Sequence, residues 1–187
     1  MTQEENKLKH IEKDTKIVIL GTFPSEASRD TFFYHKSTNQ FWTILSELYK
    51  CNDICHLQKN EISETTEKQL IENRKDFLTK HQIGLWDVID KCNIEKSKDS
   101  SIKNPTYNDL ASLKTECPKL EHIYFSSKKA FQFYQKYLHD NLKDSAIKTW
   151  LENVVIKEAL PSPSSANARL TLEQKQKRWG ELLGLFN

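Results

Sequence analysis

Apolar residues fall along this chain in short runs and helical stripes set between long polar stretches. Ile17-Val18-Ile19-Leu20 is β-branched and unalternating, and it stops at Gly21. Such a run predicts a strand over 16–21 buried on both faces. Thr38 stands where it caps a helix from Asn39 to about Lys50, with Phe41, Ile44, Leu45, Leu48 and Tyr49 on one face. A second helix starts near Thr66, with Gln69 completing a capping box and Leu70, Ile71, Phe77 and Leu78 as its apolar face. Ile83 to Ile89 is a compact apolar segment, strand-like or a buried turn. Residues 91–106 read as a long polar loop, and Thr106 to Cys117 as a short helix capped by Thr106, with Asp109 at the third position. His122 to Phe125 is a strand. Ser126 or Ser127 then opens a helix with Ala130, Phe133, Tyr134, Tyr137 and Leu138 on one side. Val154 to Ile156 is a further strand, ending at Leu160-Pro161. Thr171 and Gln174 box the start of a last helix carrying Leu172, Trp179, Leu182, Leu183 and Phe186. Residues 1–14 read as a flexible or loosely helical tail, and 51–64 as a polar connection.

Strands alternating with helices predict an α/β fold, a three-layer α/β/α sandwich around a mostly parallel sheet. A length of 187 residues fits a single domain over 1–187. Hydrophobic residues make up 37% and charged residues 29%, which excludes a disordered chain. The net charge of +2 demands no polyanionic partner by itself, so a nucleic-acid site must come from local clustering. The first residues carry no secretory apolar core and no run reaches membrane-spanning length, which predicts an intracellular, cytoplasmic protein without a membrane partner. Cys51, Cys55, Cys92 and Cys117 form no close pair, so reduced thiols are expected and no metal.

The candidate chemistry gathers first around residues 16–42. In a parallel sheet, ligands bind beyond the carboxyl ends of the strands. That places Gly21, Thr22, Pro24, the aromatics Phe32, Phe33 and Tyr34, and Asn39 about one crevice. The aromatics either fold back into the core or form a platform for a flat ligand such as a nucleobase. Asn39, at a helix start, either faces solvent or presents an amide that orients water or reads a base edge, since it donates and accepts at once. The loop Ser162-Pro163-Ser164-Ser165-Ala166-Asn167, continuing to Arg169, is stiffened by proline and leaves backbone amides exposed, a surface for phosphate or an ordinary rigid loop. From Pro161 to Asn187 four basic residues (Arg169, Lys175, Lys177, Arg178) face two acidic ones. The six histidines show no metal-ligand spacing and no triad pattern.

Taken together and in order, these strings resemble the uracil-DNA glycosylase superfamily, and within it the hypoxanthine (deoxyinosine) DNA glycosylase branch. The resemblance runs from about Lys16 to Trp179. It includes Gly21-Thr22-Phe23-Pro24-Ser25 with Ser28, Asn39-Gln40-Phe41-Trp42, Gly84-Leu85-Trp86-Asp87-Val88-Ile89 with Cys92, Asp99 to Asn104, Asn108-Asp109, Lys129-Ala130, Leu160-Pro161-Ser162 and Ala166-Asn167-Ala168. It implies a four-stranded, mostly parallel sheet and a monofunctional enzyme that flips a deaminated base out of DNA and hydrolyses its glycosidic bond without a cofactor. Asn39 matches the branch's catalytic asparagine. Gly21 to Ser25, with Phe33 and Tyr34, would bind the base. Ser162 to Asn167 and Arg169 would contact DNA.

Thr22-Phe23 replaces the acid or amide of sister families, and Leu160 stands where the classical uracil enzymes have a histidine. Both point away from uracil. The branch's His-Pro pair before the asparagine is missing, since the chain reads His35-Lys36-Ser37-Thr38-Asn39, and Ser126-Ser127 replaces its Asn-Gly. Asp87, Asp30 and Glu26 stay in reserve as carboxylates. The expected partner is single- or double-stranded DNA containing a damaged base, bound by a monomer. The alternatives are excision of uracil or mismatched thymine on the same scaffold, a DNA- or nucleotide-binding protein of this fold without catalysis, and an unrelated α/β hydrolase.

Overall fold

The computed structural model describes residues 2–95, 98–140, 142–156 and 158–184. In chain order the strands and helices are β1 (Thr2–Glu5), β2 (Ile17–Gly21), α1 (Glu26–Arg29), α2 (Phe41–Tyr49), α3 (Glu64–Lys80), β3 (Ile83–Asp87), β4 (Ile89–Ile94), β5 (Lys103–Tyr107), α4 (Leu113–Glu116), β6 (His122–Phe125), α5 (Lys128–Asp140), α6 (Ser145–Val154) and α7 (Leu172–Leu182).

The central sheet has the order β3-β2-β6, and all three strands are parallel. Its short apolar strands are buried on both faces, as that kind of run requires. Val18, Leu20, Ile123 and Phe125 point to one side, where Ala130, Phe133, Tyr134 and Tyr137 of α5 and Leu151 of α6 meet them. Ile19 and Tyr124 point to the other, where Phe41, Trp42, Ile44 and Leu45 of α2, Phe77 and Leu78 of α3, and Trp179 of α7 close the second layer. This is the α/β sandwich expected.

The sheet itself differs from the four parallel strands expected. The run Val154–Ile156 contributes only an isolated parallel bridge, Ile123 to Val155. The reason lies upstream, because residues 145–154 are helix α6, capped by Asp144 through the Ala146 and Ile147 amides. The chain still follows the β6 edge, with the Ile156 amide donating to Ile123 O and the Leu160 amide to Phe125 O. A second, antiparallel sheet has the order β1-β4-β5. Of the tail expected over 1–14, the described residues 2–14 are not loose: β1 pairs with β4, and His10 bridges to Leu85 at the β3 edge. Nor are 91–106 a long loop. They hold most of β4 and β5, whose polar residues face outward while Cys92 and Ile94 face the core.

Boundaries also move. Helix α2 begins at Phe41, not under a Thr38 cap; the Asn39 side-chain oxygen accepts from the Phe41 amide instead. Helix α3 begins earlier than Thr66, because Ser63 is the cap and Thr66 completes the box. The expected helix from Thr106 is a 3-10 turn at Leu110–Ser112 running into α4. The α7 box of Thr171 and Gln174 forms as expected, while Phe186 lies outside the described residues.

Candidate active site

Strands β2, β3 and β6 all end at one edge, and a crevice of about 660 Å³ opens there. Gly21, Thr22, Phe23, Pro24 and Ser25 form its floor where β2 ends. Asp87 enters from the end of β3, and Ser126 and Ser127 from the end of β6. Phe33, Tyr34 and Asn39 come from the loop before α2, and Ser162 to Asn167 from the loop before α7. The crevice thus gathers Gly21 to Ser25, Phe33, Tyr34, Asn39 and Ser162 to Asn167, but not Phe32 or Arg169. Arg169 lines a neighbouring hollow with Lys128 and Lys177. Leu160 is buried and does not line the crevice.

The walls are held by specific bonds. Phe32 and Phe33 fold back into the core, with Phe32 stacked on Trp42 and the Trp42 indole N–H donating to Phe33 O at 2.9 Å. Of the two, only Phe33 keeps an edge on the crevice. Tyr34 takes a left-handed backbone with φ of 52°, which is uncommon for a bulky residue. Its ring stacks on Phe41, with centroids 3.9 Å apart. The loop before α7 is pinned from behind. The Trp179 indole donates to Pro161 O at 2.8 Å, and the Gln40 amide to Pro163 O at 2.9 Å. Lys175, only 1% exposed, donates to Gln40 Oε1 and Ser164 O. Lys175 is therefore an internal strut rather than part of a basic surface. Arg178 is occupied by Glu158 and Glu181, which leaves Arg169 and Lys177 as the exposed cations of the four.

Asn39 has its side-chain oxygen committed to the Phe41 amide at 2.9 Å. Its Nδ2 group has no protein partner among the described residues. Its carbonyl faces His56 Nε2 at 3.1 Å, and Arg74 Nη2 lies 3.3 Å from His56 Nδ1. A guanidinium only donates, so Nδ1 accepts and Nε2 carries the proton that binds Asn39 O. Burial, reinforced by the Arg74 charge, drives the His56 pKa down to about 4 and keeps the ring in this neutral form. Arg74 is itself fully buried, stacks on Trp42 and donates to Ile54 O. Nothing in its sequence setting marked it, since a lone arginine in a polar helix reads as a surface residue.

Two carboxylates stand in the crevice. Asp87 is 4% exposed, and burial with the nearby Asp99 pushes its pKa up to about 7, against the Asn6 amide that donates to Oδ2 at 3.2 Å. Asp99 is raised by burial and held back by the Thr22 hydroxyl and Lys129. Asp30 and Glu26 do not line the crevice. The sequence held a signal for Asp99 only in the resemblance, because a lone acid in a polar stretch looks solvated. Among the described residues no His, Cys, Asp or Glu cluster could hold a metal ion.

A parallel sheet whose carboxyl edge opens on small residues, stacked aromatics, an amide and buried carboxylates has the layout of an α/β enzyme with its site at the strand ends. The comparisons name the class. The chain belongs to the uracil DNA glycosylase superfamily, whose family model matches residues 8–183. It is a DNA glycosylase. A protein of Methanosarcina acetivorans named hypoxanthine DNA glycosylase is 29% identical over 170 residues, 90% of each chain. One of the same name from Methanosarcina barkeri is 28% identical over 91% of this chain and 92% of its own. A solution structure of a Methanosarcina acetivorans protein matches over the full length of both chains with a TM-score of 0.71 at 24% identity, which establishes the shared fold.

Proposed function

We propose that this protein removes hypoxanthine from deoxyinosine in DNA, as a single domain acting inside the cell. The observation that carries the reading is the Asn39 amide, anchored by its oxygen and backbone and with no partner for Nδ2 among the described residues, in a residue of the crevice wall. The two relatives' names support the choice of base. The absence of an acid or amide at Thr22-Phe23, and of a histidine at Leu160, favours hypoxanthine over uracil. Among the described residues no helix is long and apolar enough to cross a membrane.

The target base leaves the stack at a cost of a few kcal/mol, least for a poorly paired deaminated base. Gly21 to Ser25 form the floor beneath it, and Phe33 and Tyr34 the wall. Tyr34 is already fixed by stacking on Phe41, so no aromatic must be ordered when the base arrives. Asn39 Nδ2 donates to the base or to the attacking water. The loop Ser162 to Asn167 presses on the DNA, with Arg169 meeting phosphate farther along the strand. Cleavage passes through an oxocarbenium-like state, so stabilising the departing base matters more than a strong base.

The test is single-turnover release from matched oligonucleotides carrying hypoxanthine, xanthine, uracil or a T·G mismatch, with Asn39→Ala beside the parent. Hypoxanthine release that drops at least 100-fold in Asn39→Ala is expected. Full activity in that variant removes Asn39 from the mechanism, and release of uracil alone replaces the base.

A further inference from the structure

We propose that Asp87 is the general acid of this crevice, delivering a proton to the departing purine and so selecting purine over pyrimidine. The proposal rests on the glycosylase reading above and adds a proton donor to it.

The argument starts from the place of the side chain. Asp87 is the last residue of β3 and pairs in register with Gly21, the last of β2. Its Oδ1 lies over the Gly21 Cα, in the space a Cβ would need. Its carboxyl therefore packs against the crevice floor, in the one spot where β2 lacks a side chain. Oδ2 accepts from Asn6, which β4 holds through the Asn6 amide and Asp90 O. The Asn6 side-chain oxygen accepts from the Leu8 amide, which turns the NH2 group toward Asp87. One carboxyl oxygen is thus occupied, and Oδ1 stays at the floor.

The groups facing Asp87 suit an acid rather than a base. Tyr34 brings a neutral hydroxyl from the loop before α2, about 3.2 Å from the same point over Gly21. Asp99 adds like charge from the turn after β4. Lys129 on α5 acts on Asp99, and Lys36 and Lys98 line the outer crevice. No cation bonds to Asp87 itself among the described residues. Burial and Asp99 hold its proton up to about pH 7, the poise a general acid needs near neutrality.

The chemistry balances. The C1′–N9 bond breaks and its electron pair stays on the base. The Asp87 proton goes to N7, so hypoxanthine leaves neutral. Water adds to C1′, and the proton it loses restores the Asp87 acid. Uracil has no N7 and gains nothing from this donor, so the crevice favours a purine by chemistry as well as by shape.

The experiment is single-turnover excision from a deoxyinosine oligonucleotide between pH 5 and pH 9, for the parent and Asp87→Asn. Parallel substrates carry 7-deazahypoxanthine, which cannot take the proton, and 7-methylhypoxanthine, which leaves without it. The parent is expected to lose rate above about pH 7 and to bind but not cleave the 7-deaza base. Asp87→Asn is expected to lose about 100-fold or more on hypoxanthine, to lose the pH slope, and to recover on the 7-methyl base. Unchanged rate and slope in Asp87→Asn, or cleavage of the 7-deaza base by the parent, overturns the acid and leaves the glycosylase reading standing. A parent that releases no hypoxanthine overturns both. Circular dichroism checks the fold of Asp87→Asn. If it does not fold, Asp99→Asn decides, because it leaves Asp87 in place and is expected to move the falling limb to lower pH. A limb that does not move overturns the proposal.

Discussion

Gly21 and Asp87 sit side by side at the carboxyl ends of two parallel strands, and the aspartate oxygen occupies the room where a side chain at 21 would stand. A Cβ on Gly21 would lie 2.1 Å from Asp87 Oδ1 and 3.2 Å from the Tyr34 hydroxyl oxygen. Aspartate is short and its Oδ2 is tied to Asn6, so it yields little. Gly21→Ala is expected to destabilise the protein by roughly 1–3 kcal/mol, the cost of overfilling a packed site. It should also cut single-turnover excision at least tenfold. Thermal unfolding and excision kinetics on one preparation check both, and an alanine variant with parental activity removes the requirement for a bare floor.

Burying Asp87 makes the fold depend on pH in an unusual direction. Its pKa is about 7 in the folded chain and ordinary when unfolded, so between about pH 4 and pH 7 the folded state holds the extra proton. Stability from this group is full below the unfolded pKa and is lost as pH rises through 7. Asp87→Asn, which carries no charge to bury, is expected to be more stable than the parent at pH 8, by an amount of order a few kcal/mol. The gap should close near pH 4. Denaturant midpoints at the two pH values measure it, and a variant no more stable at pH 8 contradicts the raised pKa. The same substitution is expected to lose activity, the usual conflict between a buried functional charge and stability.

His56 should act on Asn39 without touching DNA. Its ring links Arg74 to the Asn39 carbonyl. His56→Phe keeps a ring there but strands another N–H of a buried guanidinium whose Nη1 already lacks a partner. A loss of about 1–3 kcal/mol or somewhat more is expected. The parent has a folded His56 pKa near 4, so it resists a proton that the unfolded chain takes up below about 6.5. This part of its stability is therefore lost as pH falls from 6.5 toward 4, and His56→Phe should show a shallower acid limb in a stability–pH series. Excision should fall while the Asn39 amide remains in place. A parental rate with a parental acid limb would show that the ring does not position the loop.

Much of this arrangement was written in local sequence. The run ending at Gly21, the helical stripe Ala130, Phe133, Tyr134, Tyr137 and Leu138, and the Thr171–Gln174 box form as read, because each depends on neighbours within a turn or a strand. The grouping of Gly21 with Asn39 followed from the rule that parallel strands open their sites at one edge, whereas the loop Ser162 to Asn167 was marked only by its prolines and small residues, and the fold brings it to the same crevice.

What the sequence by itself determined is the class of fold, the floor of the crevice and the amide beside it, since apolar period and strand–glycine punctuation act locally. Only the tertiary structure decided which polar residues are buried. Lys175 reads as a surface cation and is a strut; Arg74 reads as solvated and lies under Trp42; Asp87, one of three reserve carboxylates in the sequence, becomes the one packed on glycine. Pairing of residues 2–5 with β4, and the reduction of 154–156 to a single bridge, were likewise fixed by contacts across the chain. A charged side chain is stable inside only where distant segments bring it a partner or a gap, and sequence spacing alone records neither.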